Sequence, residues 1–319
     1  MQLPGHEELL AAAQVGAEAL KPTPQIRWPL LAERTGTEVW VKHENHGPIG
    51  AFKLRGGIIY MDNLARASKP PTGIIAATRG NHRQSIAYAA ARVGIRATIV
   101  VPRQNSREKN AAIRALGAEL IEHGRDFQDA LEFAQRQAAE RGLFMVSSFD
   151  RVLVCGVASY ALEFLSGENL DTVYVPIGLG SGICGMIAAR EALRLHTRIV
   201  GVVAANAPAY ALSFAAGRLI PTESADTIAD GVACRVPDAY ALSVIRRWAE
   251  RIVTVSDAEF AAAMRHYFSD THNIAEGAGA APLAALLKER ALMEGRRVGL
   301  VLSGANVDRD LYARVLAEQ

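Results

Sequence analysis

Cysteine is scarce in this chain of 319 residues: Cys155, Cys184 and Cys234 are the only three. They are odd in number and far apart, which excludes a disulfide framework and any paired zinc-site spacing. Three reduced, buried thiols in a cytoplasmic protein are the plain expectation. An excess of one charge sign is missing as well. The formal net charge is +2, so nothing calls for a nucleic-acid partner. Arg246-Arg247 and Arg296-Arg297 read as solvated element ends. No uncharged apolar run reaches membrane-span length, so no membrane partner is expected. The opening Met1-Gln2-Leu3-Pro4-Gly5-His6 lacks the basic region and apolar core of a signal peptide. Internal repeats, low-complexity tracts and Gly/Ser linkers are also missing.

What is there is ordinary globular material, 50% hydrophobic and 21% charged. The length suits one large domain or two modest ones. Residues 6–20 read as an amphipathic helix, broken by Lys21-Pro22-Thr23-Pro24. Residues 39–42 read as a short strand and 55–67 as a helix. From residue 73 the pattern turns regular. Apolar strands at 74–77, 97–101, 118–121 and 143–146 alternate with helices, two of them capped by Ser106 and Asp126. A helix at 154–165, a strand at 172–176, a helix to 195 and a strand at 198–204 follow. Residues 207–235 are less regular. A strand at 251–255, a Ser256-capped helix, a helical stretch at 280–294, a strand at 298–302 and a last helix from Asn306 complete the chain. Continuous apolar runs alternating with helices mean buried parallel strands with crossover helices, an open α/β fold. In such folds ligands sit beyond the carboxyl ends of strands.

Four stretches at strand ends carry possible chemistry. Gly50-Ala51-Phe52-Lys53-Leu54-Arg55-Gly56-Gly57 sets one lysine between apolar and small residues. Burial lowers a lysine's pKa, and a neutral amine can be a nucleophile, a base or a Schiff-base partner. The plainer reading is a surface lysine at a helix start. Gly178-Leu179-Gly180-Ser181-Gly182-Ile183-Cys184-Gly185 follows a strand and opens a helix, which makes a phosphate cradle. It fits neither the dinucleotide Gly-x-Gly-x-x-Gly register nor a P-loop, so a monophosphate suits it better. A tight turn without ligand is the alternative. Thr78-Arg79-Gly80-Asn81-His82 offers free N–H groups for a carboxylate, and Asn81 could reach a ring hydroxyl. Alternatively Asn81 caps the helix and His82 is a satisfied core residue. Ser303-Gly304-Ala305-Asn306 offers a hydroxyl for a ring nitrogen, or a cap for the last helix.

Together these stretches resemble fold-type II pyridoxal phosphate enzymes (tryptophan synthase β-like), in particular the threonine/serine dehydratase family. The likeness runs over nearly the whole chain in the family's order, including Thr227-Ile228-Ala229-Asp230-Gly231 and Glu276-Gly277-Ala278-Gly279-Ala280. It implies two open parallel-sheet domains: a large one from residues 1–67 plus 149–319 and a small inserted one from 68–148. It implies that Lys53 carries pyridoxal 5'-phosphate as a Schiff base, with Phe52 beside the ring. Gly178, Leu179, Gly180, Ser181 and Gly182 would bind the phosphate, Asn81 the ring 3-hydroxyl and Ser303 the pyridine nitrogen. Thr78, Arg79, Asn81 and His82 would surround the substrate carboxylate. The implied reaction is β-elimination from a β-hydroxy amino acid such as threonine, serine or phenylserine, giving a 2-keto acid and ammonia. The implied enzyme class is a pyridoxal-phosphate dependent ammonia-lyase, and the family commonly forms homodimers.

The departures refine this. Racemizing members carry a serine where this chain has Arg79, and arginine stays protonated, which argues against an amino-acid racemase. Metal-binding members place a Glu and an Asp in the segment that here runs 204–210 without a carboxylate, so no metal site is expected. The Gly-Leu-Gly-Ser-Gly turn, Lys42-His43-Glu44-Asn45-His46 and Thr78-Arg79 look closer to the branch with hydroxyectoine-utilization and phenylserine dehydratases. A hydroxyectoine-derived or 3-hydroxyaspartate-type substrate is therefore the alternative, with Arg79 as a partner for an extra carboxylate or pointing to solvent. The regulatory C-terminal domain of biosynthetic threonine dehydratases is not expected.

Overall fold

A computed structural model describes residues 2–77, 80–103, 105–125 and 127–318. In chain order the strands are β1 (Gln25–Arg27), β2 (Glu38–His43), β3 (Gly73–Ala77), β4 (Arg96–Val101) and β5 (Glu119–Glu122). Then come β6 (Phe144–Met145), β7 (Thr172–Pro176), β8 (Arg198–Ala204), β9 (Arg251–Val255) and β10 (Arg297–Leu302). The first helices are α1 (His6–Ala17), α2 (Pro29–Thr35), α3 (Lys53–Ala65), α4 (Asn81–Arg92), α5 (Arg107–Ala115) and α6 (Phe127–Arg141). They are followed by α7 (Arg151–Gly167), α8 (Ser181–Ala192), α9 (Ala209–Ala216) and α10 (Ala239–Trp248). The last are α11 (Asp257–Thr271), α12 (Gly277–Lys288) and α13 (Arg309–Ala317).

Two sheets organise these elements. One is six-stranded in the order β1-β2-β10-β7-β8-β9, the other four-stranded in the order β5-β4-β3-β6. Every pairing is parallel except β1 with β2, where Gln25 faces Lys42 across an antiparallel edge. The open parallel α/β architecture follows the apolar runs, and the antiparallel edge is a departure. A three-residue strand has no readable periodicity, and its hydrogen bonds come from β2. β3 and β7 are buried at every position, as strands covered on both faces must be.

Local chemistry sets several helix starts. Ser106 accepts from the Lys109 N–H at 3.1 Å, and Ser256 forms a capping box with Glu259. Asp150 accepts from the Val152 N–H at 2.7 Å and starts α7 three residues earlier than the apolar pattern suggests. The Asp126 cap lies outside the described residues. α9, α10 and α2 interrupt stretches with no clear sequence signal, and α12 begins at Gly277, not at residue 280.

α3 is the pivot between the sheets, packed on α4 and α7. Its closeness to α7 needs a glycine: a Cβ at Gly156 would lie 2.4 Å from the Arg55 carbonyl oxygen. Beneath it sits a buried ion cluster. Arg55 donates to Glu44 at 2.7 and 2.9 Å and to Glu163 at 2.6 and 2.9 Å. The fully buried Lys42 donates to Glu163 at 2.5 Å. Burial alone would raise the Glu163 carboxyl, but the bonds and charges of Arg55 and Lys42 outweigh it and hold it below its usual range. These pairs fix the first turns of α3 against β2 and α7.

Candidate active site

The carboxyl ends of β2, β3, β7 and β10 lead into the four stretches that the sequence singles out. Two of them are stitched directly together. The Phe52 N–H bonds to the Ser303 carbonyl at 3.0 Å, and the Ala305 N–H bonds to the Gly50 carbonyl at 3.0 Å. Ala51 and Gly304 form a bridge between them. The lysine turn and the serine turn are thus one unit, although 250 residues of sequence separate Lys53 from Ser303.

Lys53 opens α3 as a half-buried residue. Nζ donates to Ser181 Oγ at 2.8 Å and lies 4.9 Å from the centroid of the Phe52 ring. Burial lowers its pKa to about 8, because removal from water penalises the charged form. Among the described residues Lys53 has no ion pair with an acid. Phe52 is itself held edge-on against Tyr160, with ring centroids 6.0 Å apart.

Ser181 belongs to the glycine turn between β7 and α8. Gly180 takes φ +103, a conformation that disfavours a side chain. A Cβ there would also meet the Ala241 Cβ at 2.7 Å. Among the described residues the N–H groups of Gly178, Leu179 and Gly180 take no backbone acceptor. Those donors, with the free N–H groups at the start of α8, make a place for a phosphate. Ser303 is buried, and among the described residues its hydroxyl has no hydrogen-bond partner. A neutral-capable amine, a ring of donors and a free hydroxyl fit a phosphorylated pyridine aldehyde.

Asn81, at the first position of α4, is engaged on both ends of its amide. It donates to Glu276 Oε1 at 2.7 Å and accepts from Asn306 Nδ2 at 2.8 Å. Asn306 also donates to the Ile49 carbonyl at 2.7 Å. Glu276 is a residue that the sequence reading left without a role. Burial raises its carboxyl to about 7, against the opposing pull of Lys109 and the Asn81 amide, while Asp230 pushes the same way as burial. The signal that marks it lies in partners 195 residues apart, which no local pattern carries.

His82 turns its Nε2 to the Ser147 carbonyl at 3.1 Å. Burial first, and the Lys53 charge second, push its pKa down to about 3, so it stays neutral. That contact fits the satisfied-core alternative for the imidazole and does not bear on the His82 backbone N–H. Thr78 and Arg79 lie outside the described residues.

A family model for pyridoxal-phosphate dependent enzymes matches residues 17–304. An L-threonine ammonia-lyase of Thermotoga maritima is 33% identical over 289 residues, covering 90% of this chain and 72% of its own. An L-threo-3-hydroxyaspartate ammonia-lyase of Saccharomyces cerevisiae is 30% identical over 319 residues, covering 99% of this chain and 98% of its own. The processed threonine deaminase isoform 2 of Solanum lycopersicum superposes with a TM-score of 0.90 at 27% identity, over 99% of this chain and 90% of that one. The family match takes in the lysine turn, both glycine-bearing turns after β3 and β7, and Ser303 with Gly304; this chain therefore belongs to the pyridoxal-phosphate dependent enzymes.

Proposed function

We propose that this enzyme is an ammonia-lyase that removes water and then ammonia from a β-hydroxy amino acid, leaving a 2-keto acid. The observation that carries this reading is the Lys53 amine, half-buried, without an acid partner among the described residues, and 2.8 Å from Ser181 at the start of the glycine turn. The names of the Thermotoga and yeast relatives, both ammonia-lyases, support the reaction class.

In this reading Lys53 holds the cofactor aldehyde, Phe52 flanks the ring, and residues 178–182 hold the phosphate. Ser303 meets the ring nitrogen, Asn81 the ring hydroxyl, and Thr78, Arg79, Asn81 and His82 the end that binds the substrate carboxylate. When bound, pyridoxal 5'-phosphate supplies the electron sink that accepts the charge left on the α-carbon. Lys53 does the proton work. As a free, neutral amine it would take the α-proton as the base. The β-hydroxyl then leaves as water, and the enamine formed is hydrolysed to keto acid and ammonia. Ser303 is a hydroxyl rather than a carboxylate, so it bonds the ring nitrogen without holding a proton on it. That weaker sink favours prompt loss of the β-group. Glu276 keeps Asn81 oriented.

We further propose a large domain of residues 1–67 plus 149–319 and a small one of 68–148, a division supported by the four strands of the second sheet, which all fall within 73–145. A homodimer in the cytoplasm completes the reading. Exposed Leu30, Phe268 and Ile274 offer apolar surface for a second copy, and three buried, unpaired thiols suit a reducing compartment.

The test is a coupled assay for keto acid and ammonia with L-threonine, L-serine, L-threo-phenylserine and L-threo-3-hydroxyaspartate, followed in parallel by visible absorbance. At least one should give both products in equal amounts. Cofactor-loaded enzyme that yields neither product from any of the four would end the reading.

A further inference from the structure

A buried tyrosine stands behind the glycine turn. Tyr210, on α9, is 1% exposed. Its hydroxyl donates to the Leu179 carbonyl at 2.7 Å and accepts from the Asp238 N–H at 3.1 Å. Burial pushes the phenol far above its usual range, so it remains a donor at every working pH. The same oxygen lies 3.1 Å from where a Gly180 Cβ would be. Asp238 in turn caps α10 through the Ala241 N–H at 2.9 Å, and the Ala241 Cβ lies 2.7 Å from that same Cβ position. The turn is thus packed against α9 and α10: Tyr210 holds the Leu179 carbonyl, and the Cys184 N–H holds the Gly180 carbonyl at 3.0 Å.

The orientation follows from peptide geometry. In a trans peptide the carbonyl and the next N–H point in opposite directions. With the Leu179 carbonyl turned to Tyr210, the Gly180 N–H is turned away from it. That N–H is one of the donors left without a backbone acceptor. A second buried phenol makes a related contact one residue into α8: Tyr160 donates to the Gly182 carbonyl at 3.2 Å.

We propose that Tyr210 is a positioning residue for the cofactor phosphate, acting through the Leu179 carbonyl to aim the Gly180 N–H. This rests on the reading that residues 178–182 hold the phosphate. Removing the phenol oxygen lets that peptide rotate, and the phosphate loses an aligned donor. The ring and its Schiff-base link to Lys53 are untouched.

The experiment compares pyridoxal 5'-phosphate with pyridoxal, which has the same aldehyde and ring but no phosphate. Dissociation constants for both are measured by visible absorbance on the full-length wild type and on Tyr210→Phe after removal of resident cofactor. The expected result is that Tyr210→Phe weakens pyridoxal 5'-phosphate by roughly tenfold, the scale of one lost buried hydrogen bond, while pyridoxal changes less than twofold. Equal weakening of both ligands would mean general loosening and would overturn the proposal, as would no change in either. Phosphorus NMR of the loaded variant reads the same point without an affinity: the bound resonance should move from its wild-type position, and an unmoved resonance counts against Tyr210. The underlying reading fails separately. In that case the wild type itself would bind the two ligands alike. The substitution deletes one oxygen from a ring whose packing is otherwise kept, so folded protein is expected.

Discussion

The Lys53 amine lies 2.8 Å from the Ser181 hydroxyl, 128 residues further along the chain. That contact joins the amine proposed to hold an aldehyde to the turn proposed to hold a phosphate. It also spares the enzyme a carboxylate next to the lysine, which would have kept the amine charged. Burial instead brings the pKa to about 8.

Two outcomes follow for Lys53. Replacing it by alanine removes the base, and general-base catalysis is worth about 10²–10⁴ in rate. Turnover of Lys53→Ala should fall by at least that factor, with cofactor still retained by the glycine turn. In the wild type, resolved enzyme should take up the aldehyde faster as pH rises toward 8 and level off above it, because only the neutral amine attacks. A stopped-flow trace of the visible band measures this. A rate that is flat from pH 6 to pH 9 would contradict the lowered pKa.

Glu276 should make stability fall with rising pH. Burial raises its carboxyl to about 7, well above the ordinary carboxylate range. The folded protein therefore holds a proton that the unfolded chain has lost between that range and about pH 7, and linkage turns that into lost stability as pH climbs through the window. Glu276→Gln carries no such titration. The melting temperature of the variant relative to wild type should rise from pH 4.5 to pH 7 and then stay constant. A difference that does not change with pH would show that Glu276 is ionised throughout.

Arg55 should be indispensable to folding. It is 5% exposed and bonds to both Glu44 and Glu163. Cutting it back to methionine leaves Glu44 buried without its cation, and breaking a buried pair costs about 3–5 kcal/mol. Urea unfolding of Arg55→Met should show a loss of that order. A loss under about 1 kcal/mol, the value of an exposed pair, would mean that water reaches the cluster.

Gly180→Ala should weaken cofactor binding as well as stability. The residue sits at φ +103, and its new methyl would meet Ala241 at 2.7 Å. Strain of this kind costs about 1–3 kcal/mol. The apparent affinity for pyridoxal 5'-phosphate should drop while the helical signal in circular dichroism is kept. Wild-type affinity in this variant would mean that the turn can flip without consequence.

Much of the framework was legible because its determinants are local. The run Ile74-Ile75-Ala76-Ala77 can only be a strand buried on both faces, and Ser106 and Ser256 each bond to an N–H three residues on. Where a partner strand decides, as for Gln25–Arg27, the chain itself carries no mark. The sequence proposes Asn81 as a site residue, but its hold by Glu276 and Asn306 carries no local mark. His82 carried two readings, and only the Ser147 carbonyl at 3.1 Å distinguishes them in position.

The sequence by itself determined the alternation of strands and helices, the glycine and serine turns at strand ends, and the place of Lys53 at the start of a helix. These depend on side-chain periodicity, capping and backbone freedom, which act over a few residues. Tertiary structure alone decided that Lys53 faces Ser181, that Tyr210 backs Leu179, and that Glu276 sits dry beside Asn81. Desolvation and hydrogen-bond geometry set those properties, and both exist only once distant segments have packed together.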